Sequence, residues 1–216
     1  MITCVVFDMD GLLIDSEPVW HQARADLFHA YGSEWTDGDQ EQTMGVSTTE
    51  WARYMAGRLD NRLTTDQAIE EIVSRMEARY RDNLPVVPGT REVISSLGNQ
   101  YTLGLASGSH PRLIQATLDA TGWRKDFSEI VSGDDVDRGK PAPDIYLEIT
   151  SRLRVPVAET AVFEDSANGI LAGCAAGVKV IAVPNTHIRP PQDVINQANI
   201  VIESLLDSSP GLLQEM

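Results

Sequence analysis

Val5-Val6-Phe7-Asp8-Met9-Asp10-Gly11-Leu12-Leu13 decides how the rest of the chain is read. An apolar run of strand type delivers two carboxylates two residues apart at its C-terminal end, and the glycine after them lets the backbone turn away. Open α/β sheets carry their chemistry at that edge. A lone Asp-x-Asp closing a strand is commonly just a pair of turn residues. Here three further segments, each a strand followed by polar residues, bring Ser107, Lys140 and Glu164-Asp165 to the same kind of position.

Downstream of the opening strand, Leu12 to Pro18 leads into a helical pattern with Val19, Ala23, Leu27 and Ala30 on one face and Gly32 as its stop. Ser47-Thr48-Thr49-Glu50 and Thr64-Thr65-Asp66-Gln67 both have capping-box spacing and open two more helices. Trp51, Met55 and Leu59 recur every four residues in the first, and Ile69, Ile72, Val73, Met76 and Tyr80 mark the second as amphipathic. Nothing between Asp15 and Leu84 reads as a strand. At Pro85-Val86-Val87-Pro88-Gly89 the character changes to alternating helix and strand. Strands are expected over Tyr101 to Ala106, Phe127 to Ser132, Thr160 to Phe163, Val178 to Val183 and Ile200 to Ile202, and a final helix over Glu203 to Leu213.

This pattern predicts an α/β fold, a doubly wound parallel sheet with an all-helical module inserted between its first and second strands. The expected division is a catalytic core of residues 1–14 and 85–216 and a helical cap of residues 15–84. The insertion emerges over Asp8, where it can act as a lid with hinges near Ile14 to Pro18 and Leu84 to Pro88.

Composition narrows the function classes. With 216 residues, 42% hydrophobic and 23% charged, the chain has an ordinary globular balance. A formal charge of -15 with no Lys/Arg stripe opposes nucleic acid as a partner. No apolar stretch is long enough for a membrane span, and Met1-Ile2-Thr3-Cys4 lacks the basic start of a signal peptide. Cys4 and Cys174 have no metal-type spacing and are expected as buried reduced thiols in a cytoplasmic protein, which is further expected to be a monomer.

Carboxylates converging without cysteine or histidine make a hard oxygen site suited to Mg²⁺. A lysine, a serine hydroxyl and the turn amides of Met9 to Gly11 and of Ser107, Gly108 and Ser109 would cradle an oxyanion beside it. Those are the needs of phosphoryl transfer. Asp8, kept ionised, can attack phosphorus, and Asp10 can exchange protons with the leaving alcohol and the attacking water. Singly, Ser107 could be a helix cap, Lys140 a solvated charge and Glu164-Asp165 a cap of the following helix. Their joint placement at successive strand ends favours one pocket.

The segments Asp8-Met9-Asp10-Gly11, Leu105-Ala106-Ser107, Lys140-Pro141-Ala142-Pro143-Asp144 and Phe163-Glu164-Asp165-Ser166-Ala167-Asn168-Gly169 resemble the four signature motifs of the haloacid dehalogenase superfamily. The resemblance is to its phosphatase and phosphoglucomutase branch, with a helical cap after the first motif, and it spans the chain in order. It implies a Rossmann-like core and Mg²⁺ bound by Asp8, the backbone carbonyl of Asp10 and Asp165, with Glu164 in support. It also implies that Ser107, Gly108 and Lys140 bind phosphate. Dehalogenases of the superfamily carry an aromatic residue where Asp10 stands, and phosphonate hydrolases use a cap lysine, of which Asp15 to Leu84 contains none. The histidine and cap-loop arginine of beta-phosphoglucomutases are matched by Trp20 and Thr48. Asp15-Ser16-Glu17-Pro18-Val19-Trp20 is similar instead to sugar-phosphate phosphatases of the 2-deoxyglucose-6-phosphate and hexitol-phosphate type.

The expected activity is Mg²⁺-dependent hydrolysis of a small phosphorylated metabolite, a sugar or polyol phosphate, through an aspartyl phosphate on Asp8 with Asp10 as general acid and base. A phosphosugar mutase and a catalytically silent binding protein remain the alternatives. Substrate choice is expected at Glu17, Trp20, Met44, Gly45, Val46 and Ser47. His187 and Arg189 read as surface residues, and His21 has no assigned role.

Overall fold

The computed structural model describes residues 1–43 and 46–214. Its centre is β1 (Cys4–Phe7), buried along its whole length. Val5 and Phe7 enter one apolar cluster and Cys4 and Val6 another, the period-two division of a strand covered on both faces. Phe7 stacks on Phe163 with ring centres 5.1 Å apart. Four further strands and a short sixth follow: β2 (Thr102–Ser107), β3 (Glu129–Ser132), β4 (Thr160–Glu164), β5 (Lys179–Ala182) and β6 (Ile200–Val201). All neighbours pair in parallel, in the order β3-β2-β1-β4-β5-β6. The first strand therefore lies between the second and the fourth, and Phe7 is in register with both Leu105 and Phe163. That register makes the residues just past Phe7, Leu105 and Phe163 neighbours at one sheet edge.

Between β1 and Pro85 the described residues form four helices: α1 (Glu17–Ala30), α2 (Asp37–Thr43), α3 (Thr48–Arg58) and α4 (Thr65–Asp82). Ser47 and Thr64 close full capping boxes with Glu50 and Gln67, as their spacing predicts. The segments entering and leaving this group lie side by side. Asp15 N–H donates to the Pro85 carbonyl at 2.7 Å, and Val87 N–H to that of Leu13 at 3.0 Å. Among the described residues no helix is long and apolar enough to cross a membrane.

The buried stripe of α1 differs from the expected one. Trp20, Ala23, Arg24, Leu27 and Phe28 are buried, whereas Val19 is half-buried and Ala30 exposed. The centre of the stripe is a cation, which an apolar pattern does not register. The helix α2 also has no apolar period to announce it. It is held by Asp39, whose carboxylate accepts from Arg58 Nε at 2.6 Å, from Tyr54 Oη at 2.5 Å and from Thr36 N at 2.9 Å.

These donors, Arg58 foremost, hold the Asp39 carboxyl well below the usual carboxylate range. Because its folded pKa is depressed, its contribution to stability is complete above the unfolded value of about 4 and is lost as pH falls through the folded value. Asp39→Ala is expected to cost about 2 kcal/mol at neutral pH, less in strong acid. Urea denaturation at pH 7 and below pH 3 checks both parts.

After α4 the chain alternates. The first core contains α5 (Thr90–Gly98) and α6 (Pro111–Thr121), and the second contains α7 (Asp144–Leu153) and α8 (Ala167–Ala176), so helices cover both sheet faces. Arg112 on α6 donates to Glu77 of α4 at 2.9 and 2.6 Å and to Glu70 at 2.8 Å, tying the four-helix group to a core helix. A one-turn α9 (Gln192–Ile195) precedes β6 and was not anticipated. The expected helix over Glu203 to Leu213 is instead a 3-10 turn at Leu205–Asp207 and a short α10 (Pro210–Gln214). Ser204 caps the turn, and Pro210, lacking an N–H, starts a new helix rather than continuing one. Both cysteines are free. Cys4 is buried, but Cys174 is only half-buried, on the outer side of the small-residue helix α8.

Candidate active site

The strand ends assemble as the register requires. Past β1 the backbone turns at Gly11, whose φ of +79° favours glycine, and a side chain there would collide with Asp165 and Asn185. This turn sets Asp8 beside the end of β4, where Asp8 N–H donates to the Phe163 carbonyl at 3.1 Å. The loop before α7 carries Lys140 inward. Its Nζ donates at 2.6 Å to Asp8 Oδ1, at 2.6 Å to Glu164 Oε1, and at 3.4 Å to the Ala106 carbonyl. Tyr146 Oη donates to the same Glu164 oxygen. Glu164 is fully buried, and Gly169 is the residue that makes room for its carboxylate, because any side chain at that point would overlap it.

One ammonium pairs with two carboxylates, and a third lies beside them. Oxygen atoms of Asp8, Glu164 and Asp165 lie within 4.8 Å of one another, all three residues buried. Burial pushes the Asp8 carboxyl well above its usual range against the pull of Lys140, and repulsion from Glu164 and Asp10 adds to the rise. Burial raises Asp165 likewise, helped by Asp8 and Glu164. Burial alone would lower Lys140, but Asp8 and Glu164 outweigh it and hold the ammonium well above its ordinary range. The cluster is short of positive charge, and its donors are all oxygen. Both facts fit a hard divalent cation such as Mg²⁺ held by Asp8 and Asp165 with Glu164.

Asp10 lies outside that cluster. Its Oδ2 accepts from Ser107 Oγ at 2.9 Å and Ser109 Oγ at 2.8 Å, and its Oδ1 from Trp20 Nε1 at 3.3 Å. Every one of these donors is neutral. Ser107 Oγ also accepts from Ser109 N–H at 3.0 Å, and Ser132 Oγ donates to the Ser109 carbonyl at 2.8 Å, so the turn through Gly108 is fixed from both sides.

A sequence model of the family described as haloacid dehalogenase-like hydrolase matches residues 5–183. The chain belongs to that family. Hexitol phosphatase B of Escherichia coli K12 is 31% identical over 210 residues, covering 95% of this chain and 94% of that protein. The bifunctional riboflavin kinase/FMN phosphatase of Arabidopsis thaliana is 34% identical over 207 residues, 95% of this chain but only 54% of that protein. The crystal structure of CbbY from Rhodobacter sphaeroides in complex with phosphate superposes with a TM-score of 0.86 at 24% identity, covering 99% of this chain and all of the other. That likeness concerns the fold.

In this haloacid dehalogenase-like hydrolase a cavity of about 60 Å³ lies between the sheet edge and the helices, lined by Asp8, Asp10, Gly108, Lys140 and Asp165 below and by Glu17, Trp20 and Val46 above. Ser107 lies beneath the lining with its hydroxyl turned to Asp10, and Ser47 is occupied as the cap of α3. Gly45 and Met44 fall outside the described residues. His187 pairs with Asp15 at 3.0 Å, His21 with Asp37 at 3.6 Å and Arg189 with Glu203 at 3.1 Å, each pair partly or wholly exposed.

Four residues of the hydrolase's site escaped the sequence reading. Asn185 donates to Asp165 Oδ2 at 2.8 Å, and its own oxygen accepts from the N–H groups of His187 and Ile188. It follows β5, so the strand-end rule that found the others reaches it too. Ser109 enters the sequence expectation only through its backbone N–H, and Tyr146 and Arg24 do not enter it at all.

Proposed function

We propose that the chain is a Mg²⁺-dependent phosphatase of small phosphorylated metabolites, with sugar or polyol phosphates as the substrate class. The observation that carries this reading is the division between two aspartates of one turn. Asp8 sits among buried charges with Lys140 at 2.6 Å, whereas Asp10 is held by two hydroxyls and an indole. One carboxylate is thereby kept for attack and the other for proton exchange.

Asp8 attacks phosphorus as the bond to the leaving oxygen breaks, giving an aspartyl phosphate, and Asp10 donates its proton to that oxygen. Asp10 then takes a proton from water, which attacks the phosphoryl group, frees inorganic phosphate and restores the Asp8 carboxylate. Lys140 and the amides near Gly108 hold the phosphoryl oxygens, with Ser107 fixing that turn. Asp8, Asp165 and the Asp10 carbonyl, with Glu164 in support, would hold Mg²⁺, which would supply further charge neutralisation.

The reading assigns residues 15–84 as a cap over a core of residues 1–14 and 85–216, with Glu17, Trp20, Val46 and Ser47 meeting the substrate. A cavity of about 60 Å³ is smaller than the several hundred cubic ångströms usual for small-molecule sites, which suits a cap that opens to admit substrate. The names of the two relatives, a hexitol phosphatase and an FMN phosphatase, support the reaction type.

Phosphate release from a panel of sugar, polyol and nucleotide monoesters tests the reading. Release is expected with Mg²⁺ and its loss on chelation, restored by added Mg²⁺. Interconversion of hexose 1- and 6-phosphates with little release would establish the mutase instead, and no turnover despite ligand binding would establish a silent binder.

A further inference from the structure

The α1 wall of the cavity carries Glu17, Trp20 and Arg24, at spacings i, i+3 and i+7 that share one helical face over about 10 Å. Arg24 is 3% exposed. Its guanidinium carbon lies 4.6 Å from the ring centre of Trp20, 5.6 Å from that of Trp35 and 6.0 Å from that of Trp51. One of its terminal nitrogens donates to Gln40 Oε1 at 3.0 Å, an oxygen that also accepts from Trp35 Nε1 at 3.0 Å. The buried Nε–H has no acceptor, and among the described residues no carboxylate pairs with Arg24 at ion-pair distance. Burial lowers the guanidinium to about 10 against the opposing pull of Glu17 and Asp10, so it remains a cation at neutral pH.

A buried guanidinium with an N–H unmet by any protein group is costly. Aromatic faces and one amide offset part of that cost. The amide does a second thing, because Gln40 Nε2 donates to Glu17 Oε2 at 2.9 Å. One glutamine thus fixes a hydrogen-bond donor and an acceptor on the same wall, with an indole between them.

We propose that Arg24 is a specificity-determining residue that donates to one hydroxyl of a polyol tail while Glu17 accepts from another, with Gln40 setting their separation. This rests on the phosphatase reading above. A second anionic group on the substrate fits less well. Arg24 attracts it but Glu17, on the same face, repels it, and Asp8, Asp10 and Asp165 already line the cavity against only Lys140 and Arg24. A hydroxyl is both donor and acceptor and satisfies both side chains. Trp20 offers an apolar surface for the carbon chain, the combination of apolar wall and few placed polar groups typical of small-molecule sites.

The test compares sorbitol 6-phosphate with n-hexyl phosphate, which has the same carbon count and no hydroxyls. Native folding of Arg24→Lys, Arg24→Met and Glu17→Gln is verified first by thermal denaturation. The kcat/KM preference for the polyol ester is expected to fall by at least about tenfold in Arg24→Met and in Glu17→Gln, with Arg24→Lys in between. Equal losses on both esters in every variant would make Arg24 a structural residue and overturn the proposal. So would a strong preference for 6-phosphogluconate that disappears in Arg24→Met, which would assign the guanidinium to an anion. Calorimetric binding of the same esters reads the preference without turnover. If no monoester is hydrolysed, the phosphatase reading falls, and the binding preference with its response to Arg24→Met still decides the role of Arg24.

Discussion

Asp8→Asn is expected to lower phosphate release by at least about 10³-fold, with the fold retained. The amide has the shape of the carboxylate but no charge with which to attack phosphorus. Its effect on stability should run the other way. Asp8 is one of three clustered buried carboxylates, only two of which contact the Lys140 ammonium, and burial penalises its charged form before any partner acts. Removing that charge relieves repulsion on Glu164 and Asp165, while Lys140 keeps Glu164 at 2.6 Å. The denaturation midpoint is therefore expected to stay level or rise as activity vanishes. Retained activity would remove Asp8 from the chemistry, and a large fall in midpoint would show that activity was lost through unfolding.

Lys140→Met attacks the same cluster from its other side and should be the most destabilising single change. It leaves Asp8 and Glu164 buried without their shared cation, and breaking a buried pair in this way costs about 3–5 kcal/mol. Release should fall as well, because the ammonium that steadies Asp8 also faces the cavity. Arginine is not expected to rescue it, since a planar fork does not replace a point charge gripped by two oxygens and the Ala106 carbonyl. Adding Asp8→Asn to Lys140→Met should recover part of the lost stability. Urea unfolding of the four proteins in that cycle measures the coupling, and strict additivity would contradict the arrangement.

Much of the molecule was legible beforehand because its signals are local. Apolar strands followed by Asp8, Ser107 and Glu164 announce themselves over a few residues, and so do the capping boxes at Ser47 and Thr64. The parallel order of strands then brings these positions together without further instruction. What was missed depends on contacts between distant segments. The helix at Asp37–Thr43 has no periodicity and exists because Asp39 is gripped by Arg58 and Tyr54 from α3. Arg24 was hidden because pattern reading places arginine in solvent, and three converging tryptophans with the Gln40 amide make its buried position tolerable. Asn185, being uncharged, left no mark in a search for carboxylates and cations.

The paired backbones at Leu13–Asp15 and Pro85–Val87 have a consequence for how such a molecule can change over evolution. Two rungs of hydrogen bonding close the excursion at its base, so the sheet meets a narrow hairpin neck regardless of what lies beyond. On the division proposed above, the segment between Asp15 and Pro85 can vary in length or architecture so long as its ends return to that neck and its underside still meets Asp10 and α6. The turn that presents Asp8 and Asp10 need not be rebuilt when the module above it is swapped. On the cap assignment proposed above, chemistry and substrate choice can in this way be inherited separately, the first in the neck and sheet, the second in a replaceable graft.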